Sequence, residues 1–260
     1  IQDYNRALEL DVRFAAAYHI WGLAYYDLGE YHRALEDLDR AIELDPLDAV
    51  AYNNRGLAHA ALRQNAQAIE DYDRATELDP YLAPAFFNRG LACAELQEYR
   101  LAIQNFDRAL ELDRGLVTAY HHRGLAYCRL QEYRRAIRDL DRVLELNAED
   151  AVAFHNRGLA YASLGEYERA IQDYDQAIAL SPHMAAAYYN RGVAYAELEE
   201  YAQAIHDYDR ALTFDPEDMS AVYHRGLAYA GMQDYARSIQ DYDRALAFDD
   251  KFAPAYHQRG

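Results

Sequence analysis

The chain has 260 residues, with 44 acidic against 26 basic side chains, a formal net charge of −18 and an apolar share of 52%. That acidic surplus argues against nucleic-acid binding, which needs clustered Lys and Arg along a phosphate track, and the absence of any run of about 18 apolar residues argues against a membrane-spanning helix. Two cysteines, Cys93 and Cys128, show no metal or redox spacing and read as buried free thiols, with a reducing, cytoplasmic setting as the default.

From the N-terminus onward one pattern dominates, a self-similarity of 34 residues marked by Arg55-Gly56, Arg89-Gly90, Arg123-Gly124, Arg157-Gly158, Arg191-Gly192, Arg225-Gly226 and Arg259-Gly260. Residues 1 to 16 match the second half of a unit and predict its second helix. Counted from Gly22, full units then run 17 to 50, 51 to 84, 85 to 118, 119 to 152, 153 to 186, 187 to 220 and 221 to 254, with the start of another at 255 to 260. The ends carry no polar capping repeats, so a piece of a longer array is expected, organised as a single solenoid over 1 to 260.

Each unit predicts two helices. In 153 to 186, Phe154, Gly158 and Tyr161 share one stripe of a first helix, while Ala170, Ile171, Tyr174, Ala177 and Ile178 form the stripe of a second. Gly165 suits the turn between them, and Ser181-Pro182 stops the second helix, as do Asp45-Pro46, Asp79-Pro80 and Asp215-Pro216 in other units.

These residues closely resemble the tetratricopeptide repeat family. The resemblance covers the whole chain and rests on the aromatic at Tyr52, Phe86, Tyr120, Phe154 or Tyr188, the glycine four later, a second aromatic such as Tyr127, Tyr161 or Tyr195, and then Ala170, Tyr174, Ala177 and Pro182. His59 and Cys93 replace the second aromatic, Asn65 a turn tyrosine, and Arg114, Ala148 and Asp250 the proline. The resemblance implies an all-α, right-handed superhelical solenoid of antiparallel helix pairs, with first helices lining the concave side.

The arginine before each glycine stands where the family has an apolar residue. On a helix wheel Arg157 lies about 60° off its stripe, Asp173 has a similar offset on the second helix, and their heights differ by about 3 Å. The same spacing of 16 predicts structural ion pairs Arg55 with Asp71, Arg123 with Asp139, Arg157 with Asp173, Arg191 with Asp207 and Arg225 with Asp241, while Arg89 meets Asn105. An alternative pairs each arginine with a carboxylate of the preceding unit, such as Asp139 with Arg157.

The opposite face of the first helices carries little charge. Its rows are Asn53, Phe87, His121, His155, Tyr189 and Tyr223, then Asn54, Asn88, His122, Asn156, Asn190 and His224, followed by leucine and alanine rows. A solvent face without a task is rich in Lys and Glu, so these twelve residues are the candidate peptide-binding strip. The asparagines resemble the ladders with which some members of the family hold an extended peptide, an amide offering both donor and acceptor to a backbone. The bland alternative is that asparagine is common at this family position.

No nucleophile with a base, paired carboxylates or phosphate-cradling loop is visible, no cofactor is implied, and His121, His122 and His155 lack the further ligands of a metal site. The reading is a non-enzymatic interaction scaffold that binds an extended or helical peptide segment. The alternatives are a self-assembling array stacked end to end, and a regulatory or targeting region of a larger enzyme.

Overall fold

The computed structural model describes residues 14–259, and fifteen helices and no strand occur among them. They are α1 (Ala15–Asp27), α2 (Tyr31–Leu44), α3 (Ala49–Ala61), α4 (Asn65–Leu78), α5 (Ala83–Glu95), α6 (Tyr99–Leu112), α7 (Val117–Arg129), α8 (Tyr133–Leu146), α9 (Ala151–Ser163), α10 (Tyr167–Leu180), α11 (Ala185–Glu197), α12 (Tyr201–Phe214), α13 (Met219–Gly231), α14 (Tyr235–Phe248) and α15 (Ala253–Arg259). First helices open two residues ahead of the register counted from Gly22, at Ala49 and Ala83 for example. The helix expected over 1 to 16 lies, up to residue 13, outside the described residues, as does Gly260.

The chain divides into two compact units, 1–131 with α1 to α7 and 132–260 with α8 to α15, each described by itself. Within each, the architecture is that of an all-α solenoid, in which a first helix packs on the second helix of its own pair and on the second helix of the pair before.

The core is made of small residues at fixed positions and one large side chain per pair. Ala51, Ala85, Ala153 and Ala187 on first helices, and Ala68, Ala102, Ala170 and Ala204 on second helices, are fully buried, so the helices approach closely. Into that contact second helices insert Leu38, Tyr72, Phe106, Tyr174, Tyr208 or Tyr242, none more than 1% exposed. The ring lies against the glycine of its own first helix, and a Cβ at Gly158 would stand 2.6 Å from Tyr174 Cε1, as one at Gly56 would from Tyr72. The glycines are therefore steric requirements of the pair.

The turn between the helices of a pair uses one left-handed residue. Gly29 and Gly165 fill it at φ 77° and 75°, but Arg63, Gln97, Gln131, Glu199 and Gln233 occupy it at 61–62° without being glycine. Backbone bonds close it, Gly165 N donating to Ala162 O and Glu166 N to Tyr161 O, each at 2.9 Å. After the second helices an Asx turn does the stopping. Asp45, Asp79, Asp113, Asn147, Asp215 and Asp249 each accept, through a side-chain oxygen, the backbone N–H two residues on. Proline is thus dispensable, and Arg114, Ala148 and Asp250 stand in its place without opening the turn.

An alanine in place of glycine inside a helix ordinarily stabilises by about 0.5–1 kcal/mol. At Gly158 the sign reverses: Gly158→Ala drives a methyl into the buried Tyr174 ring and lowers the urea unfolding free energy by ~1–3 kcal/mol. A neutral or raised midpoint would show that the ring shifts freely.

Candidate functional site

Arg55, Arg157, Arg191 and Arg225, each beside a helix glycine, bridge two carboxylates. Arg157 Nε and Nη2 donate to Asp173 at 2.8 and 2.6 Å, a bidentate contact inside its own pair, and Nη1 donates to Asp141 on α8 at 2.6 Å. Arg191 repeats this with Asp207 and Asp175, Arg225 with Asp241 and Asp209, and Arg55 with Asp71 and Asp39. Both partners stand 16 residues away, one on each side. The contacts of Arg55, Arg157, Arg191 and Arg225 with Asp71, Asp173, Asp207 and Asp241 have the spacing of 16 read from the wheel geometry. The contact with the preceding pair is also made, but by Asp141 and not Asp139: two residues further along the helix turns the carboxylate from the inner face to the next pair. Arg123 donates to Asp107 at 2.5 Å within the first unit, and Asp139 belongs to the second unit.

The guanidinium is sandwiched as well as bonded. It lies 5.3–5.6 Å from the ring three residues earlier, Tyr52, Phe86, Tyr120, Phe154 or Tyr188. The hydrogen bonds that Arg157 and Arg225 donate to Asp173 and Asp241 raise both further above the ordinary guanidinium value, against the opposing effect of burial. Burial pushes the Asp71 carboxyl up despite its bonds to Arg55.

The uncharged strip forms a second seam, with partners 35 residues apart. Asn54 Nδ2 donates to His19 Nε2 at 2.7 Å, Asn88 Nδ2 to Asn53 Oδ1 at 2.9 Å, and Asn190 Nδ2 to His155 Nε2 at 2.9 Å. His224 meets the Tyr189 hydroxyl at 3.2 Å, and His122 packs edge-on against Phe87. The second row of the strip on one helix therefore holds the first row on the helix before. Asn53 and Asn54 are buried, at 6% and 8% exposure, and serve this contact, whereas the other ten strip residues are half-buried. Tyr223 rests on Tyr242 and Phe252, and His121 on His122. Asn156 lies on α9 in the same row as Asn190 on α11.

Between α3 and α5 the strip opens into a cleft of about 500 Å³, lined by Leu57, Leu91 and Ala94 with Asn88, His122 and Tyr72. The second N–H and the Oδ1 of Asn88 have no partner among the described residues, and neither has the buried hydroxyl of Tyr72. Arg63 and Glu95 pair across the rim at 3.6 Å. Burial lowers His122 and His155 below the ordinary imidazole value, the Ala186 backbone partly offsetting this at His155. Burial also pushes the Cys93 and Cys128 thiols up, away from thiolate reactivity. Among the described residues no three His, Cys, Asp or Glu side chains converge as a metal set, and no helix is long and apolar enough to cross a membrane.

The family described as "TPR repeat" matches residues 22–63, 124–165 and 158–199, and families described as "Tetratricopeptide repeat" match 49–82, 83–116, 185–218 and 220–252. No curated protein matches by sequence. Among solved structures, the chain is similar to YrrB, "a TPR protein with an unusual peptide-binding site", at 28% identity and a TM-score of 0.65, covering 72% of this chain and 97% of that one. It is similar to the MamA protein at 26% identity and a TM-score of 0.61, covering 66% and 94%. The C-terminal part of a TPR repeat-containing protein from Cytophaga hutchinsonii shares the fold at 18% identity and a TM-score of 0.76, covering 92% and 98%.

Replacing Arg157 with Leu leaves the buried Asp173 without its cation and costs ~3–5 kcal/mol in a urea melt. Asp141→Asn, at a half-exposed outer partner, costs at most about 1 kcal/mol. Equal costs would mean that the two carboxylates are equivalent. His155 gives a pH dependence of defined sign. Its folded value lies below the unfolded one near 6.5, so its stabilising contribution is complete above that value and is lost as pH falls through it. Between about pH 7.5 and pH 5.5 the wild-type midpoint falls more than that of His155→Asn, in which an amide oxygen accepts from Asn190 as Asn53 does from Asn88.

Proposed function

The chain belongs to the tetratricopeptide repeat family, whose helix pairs form protein-interaction scaffolds, and from that premise we propose that it binds an extended peptide segment along the uncharged strip of its first helices. The observation that carries this reading is the cleft between α3 and α5, where an apolar floor of Leu57, Leu91 and Ala94 adjoins the remaining N–H and the Oδ1 of Asn88 and the unpartnered hydroxyl of Tyr72. A peptide backbone has the complementary chemistry. Its N–H and C=O answer an amide that still has one donor and one acceptor, whatever side chains it bears. Side chains of the peptide meet leucine and alanine. No charge of the strip has to be desolvated in the exchange, because the guanidiniums are held at the ladder by carboxylates and rings.

The similarity to YrrB, a repeat protein of the same family with a peptide-binding site, supports the same reading. Asn54 and Asn53 act through the strip, by fixing the rows that reach the ligand, and Asn88, Asn156 and Asn190 are the residues assigned to backbone contact.

The test is a peptide array probed with wild type beside the Asn88, Asn156 and Asn190 triple alanine variant. The variant is expected to capture its peptides at least about tenfold more weakly while its helical circular dichroism is retained. Equal capture by both proteins would remove the amides from recognition.

A further inference from the structure

The third helix pair departs from its sisters at three positions that converge. Where other first helices carry Tyr127, Tyr161, Tyr195 or Tyr229, α5 carries Cys93. Where the inner carboxylate is Asp71, Asp139, Asp173, Asp207 or Asp241, α6 carries Asn105, and where Arg33, Gln67, Arg135, Arg169, Gln203 or Arg237 stands, α6 carries Leu101. The three line one cavity of about 350 Å³ between α4, α5 and α6, with Phe86 and Arg89 in its wall. Cys93 is buried at 3% exposure, while Leu101, at 48%, is open to solvent.

What these changes remove is defined by the sister pairs. In the pair of α9 and α10, the Tyr161 ring lies 6.0 Å from the Arg157 guanidinium, and Nη2 of that guanidinium donates to Asp173 Oδ1 at 2.6 Å. In the third pair the thiol takes only part of the volume of a ring. Asn105 Oδ1 accepts from Arg89 Nε at 2.6 Å, but its amide nitrogen turns away to donate to Leu101 O at 2.9 Å. Arg89 Nη1 is taken by Asp73 and Thr76, and Nη2 has no acceptor among the described residues. One cation faces one anion here, where complete rungs set one cation against two. Arg108, 5.8 Å from the Phe86 ring, adds a second cation to a lining that also holds Asp73 and Glu98.

We propose that this cavity binds an aromatic ring bearing a carboxylate. The ring enters the hollow on the side where Cys93 stands in place of tyrosine, against Phe86 and beside Arg89, and the carboxylate accepts from Arg89 Nη2; a hollow of about 330 Å³ lies at the same place beside Arg191, where Tyr195 and Asp207 supply the ring and the carboxylate. Both missing groups contact a single guanidinium in the sister pairs, so they lie close enough to be carried by one ligand. A chain-terminal phenylalanine or tyrosine and a free aryl acid share this chemistry. The site lies on the ladder side, apart from the cleft between α3 and α5, so it is independent of the peptide strip. Cys93 contributes surface only, its thiol being raised by burial.

The test is an NMR titration of the full chain with N-acetyl-L-phenylalanine, with its amide, and with a short peptide ending in phenylalanine as free acid or amide. The acids are expected to bind at least about tenfold more tightly than the amides. Asn105→Asp restores the sister carboxylate and Cys93→Tyr the sister ring, and each is expected to weaken acid binding at least about tenfold without lowering Tm. Tighter binding of the peptide acid assigns a chain terminus, and equal binding of the two acids assigns the aryl acid alone. Absence of saturable shifts at millimolar ligand, equal binding of acid and amide, or unchanged affinity in Asn105→Asp would overturn the proposal. Because Asn105→Asp changes no volume, it decides the matter even where Cys93→Tyr does not fold.

Discussion

The contact on which the molecule depends is the approach of two helices at a glycine, where a buried ring or leucine from the second helix lies on the bare backbone of the first. It sets the distance within a pair, and it also places the neighbouring arginine. A residue adjacent to the glycine cannot point into the same contact, so its side chain runs along the edge of the pair. There it reaches the carboxylate one position before the ring, as Arg157 reaches Asp173 beside Tyr174. A permanently charged group can be this enclosed because two carboxylates and an aromatic face replace its water. The packing and the charge are one arrangement read at two adjacent positions.

Successive pairs are joined by two seams on different sides. On one, the guanidinium takes a carboxylate from the preceding second helix; on the other, an amide or imidazole of one first helix bonds to the first helix before. Both repeat with the period of the sequence, which is how a chain whose contacts are confined to neighbours keeps register without a common core. The strip read as a ligand surface is therefore also a joint. Its amides divide their hydrogen bonds between the adjacent helix and the cleft, and Asn88 does so within one side chain.

The architecture and the inner ion pairs could be read from the residues because both follow from the period and from angles on a helix wheel. The outer carboxylates could not be placed in that way. Asp141 and Asp139 lie two residues apart in the same acidic run, and choosing between them requires the position of the next pair, which a single-helix wheel does not contain; the recurrent Asp-x-Asp doublet flanking the ring was the available signal. The seam of 35 residues was hidden for the same reason, since each partner reads as an isolated surface amide or imidazole until the helices are stacked. The turns show the limit of residue preference. Gln97 and Glu199 adopt the left-handed conformation that Gly165 adopts freely, held there by backbone bonds and the packing on either side.

The outer carboxylates have a consequence for how the array responds to its ionic surroundings. In the second unit the rungs at Arg157, Arg191 and Arg225 each leave one uncompensated negative charge, repeated at every pair like the phosphates of a linear polyanion. Mobile cations gather along such a row, and within a Debye length of about 10 Å at 0.1 M salt they mute the mutual repulsion of its members. A solenoid built this way coheres better in brine than in dilute buffer, the reverse of a surface whose charges are evenly matched.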